Sequence, residues 1–411
     1  MKKKTAAVIG LGRVGLPMAL FLADHQHQVI GIDIDQAKIN LLKKGTMPFM
    51  EEGAERILKK YINRSFFPTT DYQKAKEVEN IILTLGTPVD ANMNPEYDQI
   101  DNTLEKISPF LKKNQLLILR STVAPRTTLY AGEFIEKKTK FKIGENFFIA
   151  FCPERIAEGK ALKELKEIPQ IIGGIDNQST KKAFSFFTDL GIKSFITDSV
   201  SAELAKLFTN MYRYISFAIA NEFMVIAENF HRNIYEIIEL VNRDYKRGGL
   251  VLPGLTAGPC LFKDGFFLIN ENPFLDLIVA SWKINEALPL FLIKKLRERI
   301  KLQNKKVTIL GLAFKPEIDD IRESLSFKIR KALLREQAKV ILHDPYVKFY
   351  RHQEIVTDLK KALKNIDVVV VATRHKQYIK EKEKILGWLA RKTYVVDIWN
   401  IFRTNKLIFR V

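Results

Sequence analysis

Between a short apolar run and a longer helical pattern near the start of the chain stands Gly10-Leu11-Gly12-Arg13-Val14-Gly15. Thr5–Ile9, just before it, is rich in β-branched and small residues and reads as a buried strand. The residues up to Ala23 carry helical spacing, and the run from 27 to 33, HQVIGID, reads as a second strand that ends on Asp33. A strand, GxGxxG, a helix, a strand and a terminal acid in that order describe a dinucleotide-binding βαβ unit; an ordinary strand–helix turn needs no such set. Gly10, Gly12 and Gly15 let the backbone approach a pyrophosphate lying on the helix N-terminus, with Arg13 and Val14 in the same turn. A carboxylate at Asp33 accepts hydrogen bonds from the adenosine ribose and repels a 2′-phosphate, which favours NAD over NADP.

Further strands are expected at 80–88, 115–122 and 146–155, each ending in polar or turn residues, then at 170–174 and 194–197. Ligands in open α/β sheets gather at the carboxyl ends of strands, where Thr87, Thr122 and Glu154 fall. Cys152, inside its strand, reads as core packing. From Ser201 to Phe230 there is no Gly or Pro and apolar residues recur at helical spacing, with Ser201 and Glu203 suiting a helix start. Residues 233–242 form another helix. Residues 274–300 form a third, which Pro289 is expected to kink or split. Strands return at 306–314, which opens into a loop, and at 338–345, 366–375 and 393–400, without a second GxGxxG, so no second dinucleotide is assigned. The fold class is α/β: a Rossmann domain over 1–198, a helical central domain over 199–300, and a Rossmann-like α/β domain over 301–411.

Two cysteines in 411 residues exclude a disulfide framework and fit a reducing, cytoplasmic setting. The lysine-led apolar N-terminus imitates a signal peptide, but Arg13 and the three glycines break the apolar run, and no window reaches membrane-spanning length. The net charge of +19 favours anionic partners. Its basic residues are scattered over the whole length, with no aromatic-interleaved patch, which argues against nucleic acid and reads first as a lysine-rich solvated surface. No metal site is expected.

The stretch PGLTAGPCLFKDG (253–265) places Cys260 in a glycine- and proline-rich loop, with Lys263 and Asp264 directly behind. Lys206 and Asn210 are four apart on the long helix and share a face. A thiol, an ammonium, an amide and a carboxylate beside a nicotinamide suit oxidation beyond an aldehyde. An aldehyde cannot lose hydride until a nucleophile adds to its carbonyl, and a thiolate gives a thiohemiacetal that becomes a thioester. Taken alone, each of these residues has an ordinary structural reading, as a small buried residue or a solvated helix face.

Taken together with GLGRVGLP, LGTP (85–88), STVAPRTT (121–128), PERIAEG (153–159), ELAKLFTNMYRYISFAIANE (203–222), GLAFKPEIDDIRES (311–324) and HDPY (343–346), the stretch resembles the UDP-glucose/GDP-mannose dehydrogenase family over nearly the whole chain. The resemblance implies oxidation of a sugar C6 alcohol to a carboxylate with two NAD, in a homodimer or higher homo-oligomer. Carried over residue by residue, it makes Cys260 the nucleophile and gives Lys206 and Asn210 the oxyanion. Asp264 and Thr122 then position water, and Glu154 or Glu158, which stay unseparated, joins thioester hydrolysis. Lys38, Thr87, Thr122 and Lys263 join the cofactor set. Glu154, Lys206, Asn210, Arg247, Gly258, Phe314, Lys315 and Arg322 form the sugar-nucleotide set, although Arg247 is one position out of register with the cysteine. Two departures stand out: Ala257-Gly258-Pro259 before the cysteine, and Trp399 in Asp397-Ile398-Trp399-Asn400 where members often carry arginine. The sugar stays open between UDP-glucose and UDP-N-acetylhexosamines. The rival readings are a two-electron β-hydroxyacid dehydrogenase of the 6-phosphogluconate type, which needs neither the cysteine nor residues 304–400, and a non-catalytic NAD-binding regulator.

Overall fold

The computed structural model describes residues 4–269, 275–351 and 353–411. These form two compact units: residues 4–209 with 266–269, and residues 210–265 with 275–411.

The first unit is built on an eight-stranded sheet. Its strands are β1 (Thr5–Ile9), β2 (Gln28–Ile32), β3 (Phe66–Thr69), β4 (Asn80–Leu83), β5 (Leu116–Leu119), β6 (Phe148–Phe151), β7 (Gln170–Gly174) and β8 (Ser194–Asp198), in the order β3-β2-β1-β4-β5-β6-β7-β8. Every neighbouring pair is parallel except β6 with β7. The first six strands therefore have the doubly wound order of a dinucleotide-binding domain. Ile9 pairs with both Ile32 and Leu83, which aligns the end of β1 with Asp33 and Thr84. The strand β3 escapes sequence reading because it is four residues long and holds Pro68, which only an edge position tolerates. Cys152 is fully buried and burial pushes its thiol up to about 12, consistent with a packing role.

A 31-residue helix, Ser199–Asn229, follows β8 directly. Its cap is Asp198, whose carboxylate accepts the Ser201 N–H, rather than Ser201 itself. Glu203 serves a different helix. Its two carboxylate oxygens accept the N–H groups of Arg126 and Thr128 at the start of Thr127–Lys138.

The second unit holds a sheet in the order β10-β9-β13-β14-β15, with β9 (Lys306–Leu310), β10 (Lys339–His343), β13 (Val368–Val371), β14 (Tyr394–Asp397) and β15 (Ile408–Arg410). A small hairpin of β11 (Phe349–Tyr350) and β12 (Gln353–Glu354) lies between them in sequence. Only β15 runs antiparallel in the five-stranded sheet. Met224 and Ala227 of the long helix, Ile234 and Ile238 of helix Ile234–Asn242, and Leu288, Leu292 and Leu296 of helix Asp276–Arg297 pack in one core with Val307 and Ile309 of β9. That last helix runs unbroken through Pro289. A mid-helix proline costs about 3 kcal/mol, and the buried leucine stripe on either side offsets it. Phe274, where the sequence pattern begins this helix, lies outside the described residues.

Candidate active site

In the first unit the turn after β1 has the geometry its glycines imply. Gly10 has φ +93°, and a Cβ on Gly15 would lie 1.8 Å from the Gly10 carbonyl oxygen and 2.3 Å from the Thr84 hydroxyl. Gly15 is thus required for helix and strand to meet. A Cβ on Gly12 would touch nothing within 4 Å, so its small size keeps space open over the helix start. Asp33 is buried and accepts the Leu11 N–H at 2.7 Å and the Asp35 N–H at 2.9 Å, and Lys38 Nζ stands 2.7 Å from its carboxylate. Open space at a positive helix N-terminus, with a buried carboxylate at the end of β2, fits the NAD binding that the glycine turn implies.

The other strand ends of this unit carry the remaining candidates. The Thr87 hydroxyl donates to the Thr122 carbonyl at 2.7 Å, and both threonines are buried. The two glutamates that sequence could not separate have different partners. Glu154 accepts from Lys206 Nζ at 3.0 Å, with both side chains buried, and its other oxygen accepts the Ile156 N–H. Glu158 instead lies 3.8 Å from Arg13 Nε, beside the glycine turn, and Arg13 also stacks over the Phe49 ring. Arg120 escaped the sequence reading. It is almost fully buried, donates to the Cys152 carbonyl and to Gln170, and acts electrostatically on Glu154. Buried arginine after an apolar strand gives no pattern in sequence; only its fixed partners reveal it.

The second unit holds the cysteine loop. Cys260 is exposed and caps the one-turn helix Leu261–Asp264, its carbonyl accepting the N–H groups of Lys263 and Asp264. Asp264 is fully buried; one oxygen accepts Asn210 Nδ2 at 2.6 Å and the other accepts Lys263 Nζ at 3.0 Å. Lys206 and Asn210 are one turn apart on the long helix, so one element carries the ammonium that meets Glu154 and the amide that meets Asp264. Gly258, at φ +111°, stands where a Cβ would lie 2.5 Å from the Phe314 ring. Lys315 follows in the same loop and is partly buried, while Arg322 gives Nε and Nη2 to Asp320. Arg247 is exposed and stacks over Tyr245. Trp399 donates its indole N–H to the Ala372 carbonyl at 3.1 Å and packs against Gly254.

Three family models match in sequence order. The NAD binding domain of the UDP-glucose/GDP-mannose dehydrogenase family matches residues 4–190, its central domain residues 200–286 and its UDP binding domain residues 308–404. A UDP-N-acetyl-D-mannosamine dehydrogenase of Methanocaldococcus jannaschii is 31% identical over 97% of this chain and 92% of its own length. The chain belongs to the UDP-glucose/GDP-mannose dehydrogenase family. A UDP-N-acetyl-D-mannosamine dehydrogenase of Campylobacter jejuni is 31% identical, covering 93% of this chain and 98% of that protein. Among solved structures, UDP-D-ManNAc dehydrogenase from Pyrococcus horikoshii superposes with a TM-score of 0.87 at 29% identity, covering 94% of this chain and 93% of that one. A UDP-glucose dehydrogenase from Pyrobaculum islandicum gives 0.85 at 26% identity, covering 96% and 93%. This family member is an NAD-dependent nucleotide-sugar dehydrogenase. Among the described residues no helix is long and apolar enough to cross a membrane.

Proposed function

We propose that this dehydrogenase oxidises the C6 hydroxyl of a UDP-sugar to the carboxylate in two successive two-electron steps, with Cys260 as the covalent carrier. The observation that carries this reading is an exposed thiol one helical turn from a buried Asp264 tied to Asn210 and Lys263. Bound NAD supplies the hydride acceptor. Lys206 and Asn210 stabilise negative charge on the oxygen derived from the alcohol. The Cys260 thiolate adds to the aldehyde carbon, and the thiohemiacetal loses hydride to become a thioester. Water then displaces the thiol and leaves the uronate. Asp264 and Thr122 position that water. Glu154 takes part in the hydrolysis in preference to Glu158, because Glu154 is the one in contact with Lys206.

The sugar nucleotide is a UDP-N-acetylhexosamine, a reading supported by the relatives that carry UDP-N-acetyl-D-mannosamine in their names. Gly258, Phe314, Lys315, Arg322 and Arg247 contribute to its binding. A homodimer is supported by Tyr212, Ile219, Phe223 and Ile226, which recur at helical spacing and are exposed along the long helix.

NADH formation with a panel of UDP-sugars tests the reading. Wild-type enzyme should give two NADH per sugar consumed, ending at the uronate. Cys260→Ala should bind NAD normally and make almost no uronate. Uronate at the wild-type rate from Cys260→Ala would remove the thiol from the mechanism.

A further inference from the structure

The run-up to Cys260, from Leu250 to Pro259, has no regular secondary structure, yet Pro253, Gly254, Leu255 and Thr256 are buried. Buried peptide groups outside a helix or sheet need partners from elsewhere. One side chain meets both the N–H and the carbonyl of Gly254, and the Thr256 hydroxyl adds a longer bond to that carbonyl at 3.4 Å. Asn221 Oδ1 accepts the Gly254 N–H at 2.9 Å, and Asn221 Nδ2 donates to the Gly254 carbonyl at 3.1 Å. The same Nδ2 donates to Asn285 Oδ1 at 2.8 Å, and Asn285 Nδ2 donates onward to the Tyr214 carbonyl at 3.2 Å. Both asparagines are completely buried in the middle of helices. An apolar residue would fill those positions without the cost of burying an amide, so the amide is explained by the peptide it holds.

The Trp399 ring closes the other side. A Cβ on Gly254 would lie 2.3 and 2.4 Å from two atoms of its six-membered ring. The ring is itself tethered through its N–H to Ala372. The segment is pinned again on both flanks: Asn242 accepts the Gly249 and Leu250 N–H groups, and Phe314 stands against Gly258. Cys260 follows two residues after Gly258 and is exposed, so the course of this segment sets where its backbone, and with it the thiol, is presented.

We propose that Asn221 and Trp399 are positioning residues for the Cys260 thiol: they grip the Gly254 peptide from two sides and so fix the segment that delivers the nucleophile. This rests on the cysteine chemistry proposed above, and it gives Trp399 a task where the family resemblance leads one to expect an arginine. The grip acts on geometry, so it is felt in turnover and in thiol reactivity more than in cofactor affinity.

The test pairs steady-state kinetics with alkylation of Cys260 by iodoacetamide, followed by peptide mass spectrometry, in the full-length enzyme. Buried Cys152 serves as the internal control for a folded protein. Asn221→Leu should lower kcat by about 100-fold, the scale expected for a misplaced reacting group, with NADH affinity by fluorescence titration unchanged. Its Cys260 alkylation rate should differ from wild type by more than about threefold, while KM moves by less than about threefold. Gly254→Ala should also lose turnover through collision with the Trp399 ring. Trp399→Leu alone should lower kcat and shift Cys260 alkylation in the same direction as Asn221→Leu, because one side of the grip is gone. Wild-type kcat or a wild-type alkylation rate in Asn221→Leu overturns the proposal. Where Asn221→Leu does not fold, Trp399→Leu decides: a wild-type kcat with a wild-type alkylation rate in that variant overturns it. Failure of the cysteine chemistry itself shows differently, as full uronate production by Cys260→Ala, and leaves the alkylation comparison readable.

Discussion

The chain builds the same turn twice and uses it for opposite ends. In the first unit, β1 is followed by Gly10-Leu11 with φ +93° at the glycine, and Asp33 after β2 accepts the Leu11 N–H. In the second, β9 is followed by Gly311-Leu312 with φ +92° at the glycine, and Asp344 after β10 accepts the Leu312 N–H at 2.6 Å. A threonine follows the neighbouring strand both times: Thr84, directly after β4, donates to the Gly10 carbonyl, and Thr373, two residues after β13, donates to the Ala313 carbonyl. The copies diverge one residue later. Gly12 leaves open space, whereas Ala313, Phe314 and Lys315 fill the second turn with side chains. Asp344 is wholly buried and accepts the N–H groups of Leu312, Ala313, Tyr346 and Val347, together with His375 Nε2. Its hydrogen-bonding capacity is consumed by the fold. Asp33 has two backbone donors and a lysine, and remains slightly exposed. A shared backbone solution is thus no guide to a shared ligand. What matters is whether the protein itself has taken up the carboxylate and the space.

The sharpest way to break this comparison is at the glycines. Gly15→Ala should give the largest effect, loss of NAD binding with severe destabilisation, because its Cβ meets backbone that cannot move aside. Gly12→Ala should keep its melting temperature and lose NAD affinity, and Gly311→Ala should do the reverse. A Gly12→Ala protein that unfolds, or a Gly311→Ala protein that binds NAD poorly while stable, would erase the distinction.

Next in size is Asp344→Asn, which should cost about 2–4 kcal/mol by denaturant unfolding, since several charge-assisted hydrogen bonds weaken together. Asp33→Asn should cost clearly less. Equal losses would mean both acids are purely structural.

Acid should expose the same asymmetry. Burial pushes His343 down to about 4, below its ordinary value near 6.5. The folded form therefore binds fewer protons between those limits, and its stability is full above pH 6.5 and falls as the pH drops toward 4. The loss amounts to at most about 3 kcal/mol. For Asp344, burial pushes upward, but His375 and the backbone N–H groups outweigh it and hold the carboxyl below its ordinary value, so its contribution is lost only at still lower pH. Burial also lowers His27 in the first unit, so His343→Gln should flatten only part of the melting-temperature decline between pH 6.5 and 4. An unchanged slope would remove His343 from the account.

The smallest expected effect is on cofactor choice, read with Asp33→Ala. The wild-type preference for NAD over NADP should narrow, measured as the ratio of kcat/KM values. A wild-type enzyme that already prefers NADP would contradict the role given to Asp33.

Much of the fold was legible because local chemistry dictated it. The strand Thr5–Ile9, the glycine turn, the helix Gly15–Asp24 and the acid after β2 are fixed by spacing of three to twenty residues, within the reach of pattern and steric rules. The long helix was equally plain, since thirty residues without Gly or Pro leave few alternatives. Cys260, Lys206, Asn210 and Asp264 could be named as a set from their types and motifs. What sequence could not decide was pairing. The antiparallel turn between β6 and β7, the short edge strand β3 and the unbroken helix through Pro289 depend on neighbours far along the chain. So do Glu154 on Lys206, Glu158 beside Arg13, and the grip of Asn221 and Trp399 on Gly254. Residue types and short spacings are written in the chain itself. The partner that a buried polar group finds is chosen only when distant segments pack, because only then is water removed and the choice made costly to change.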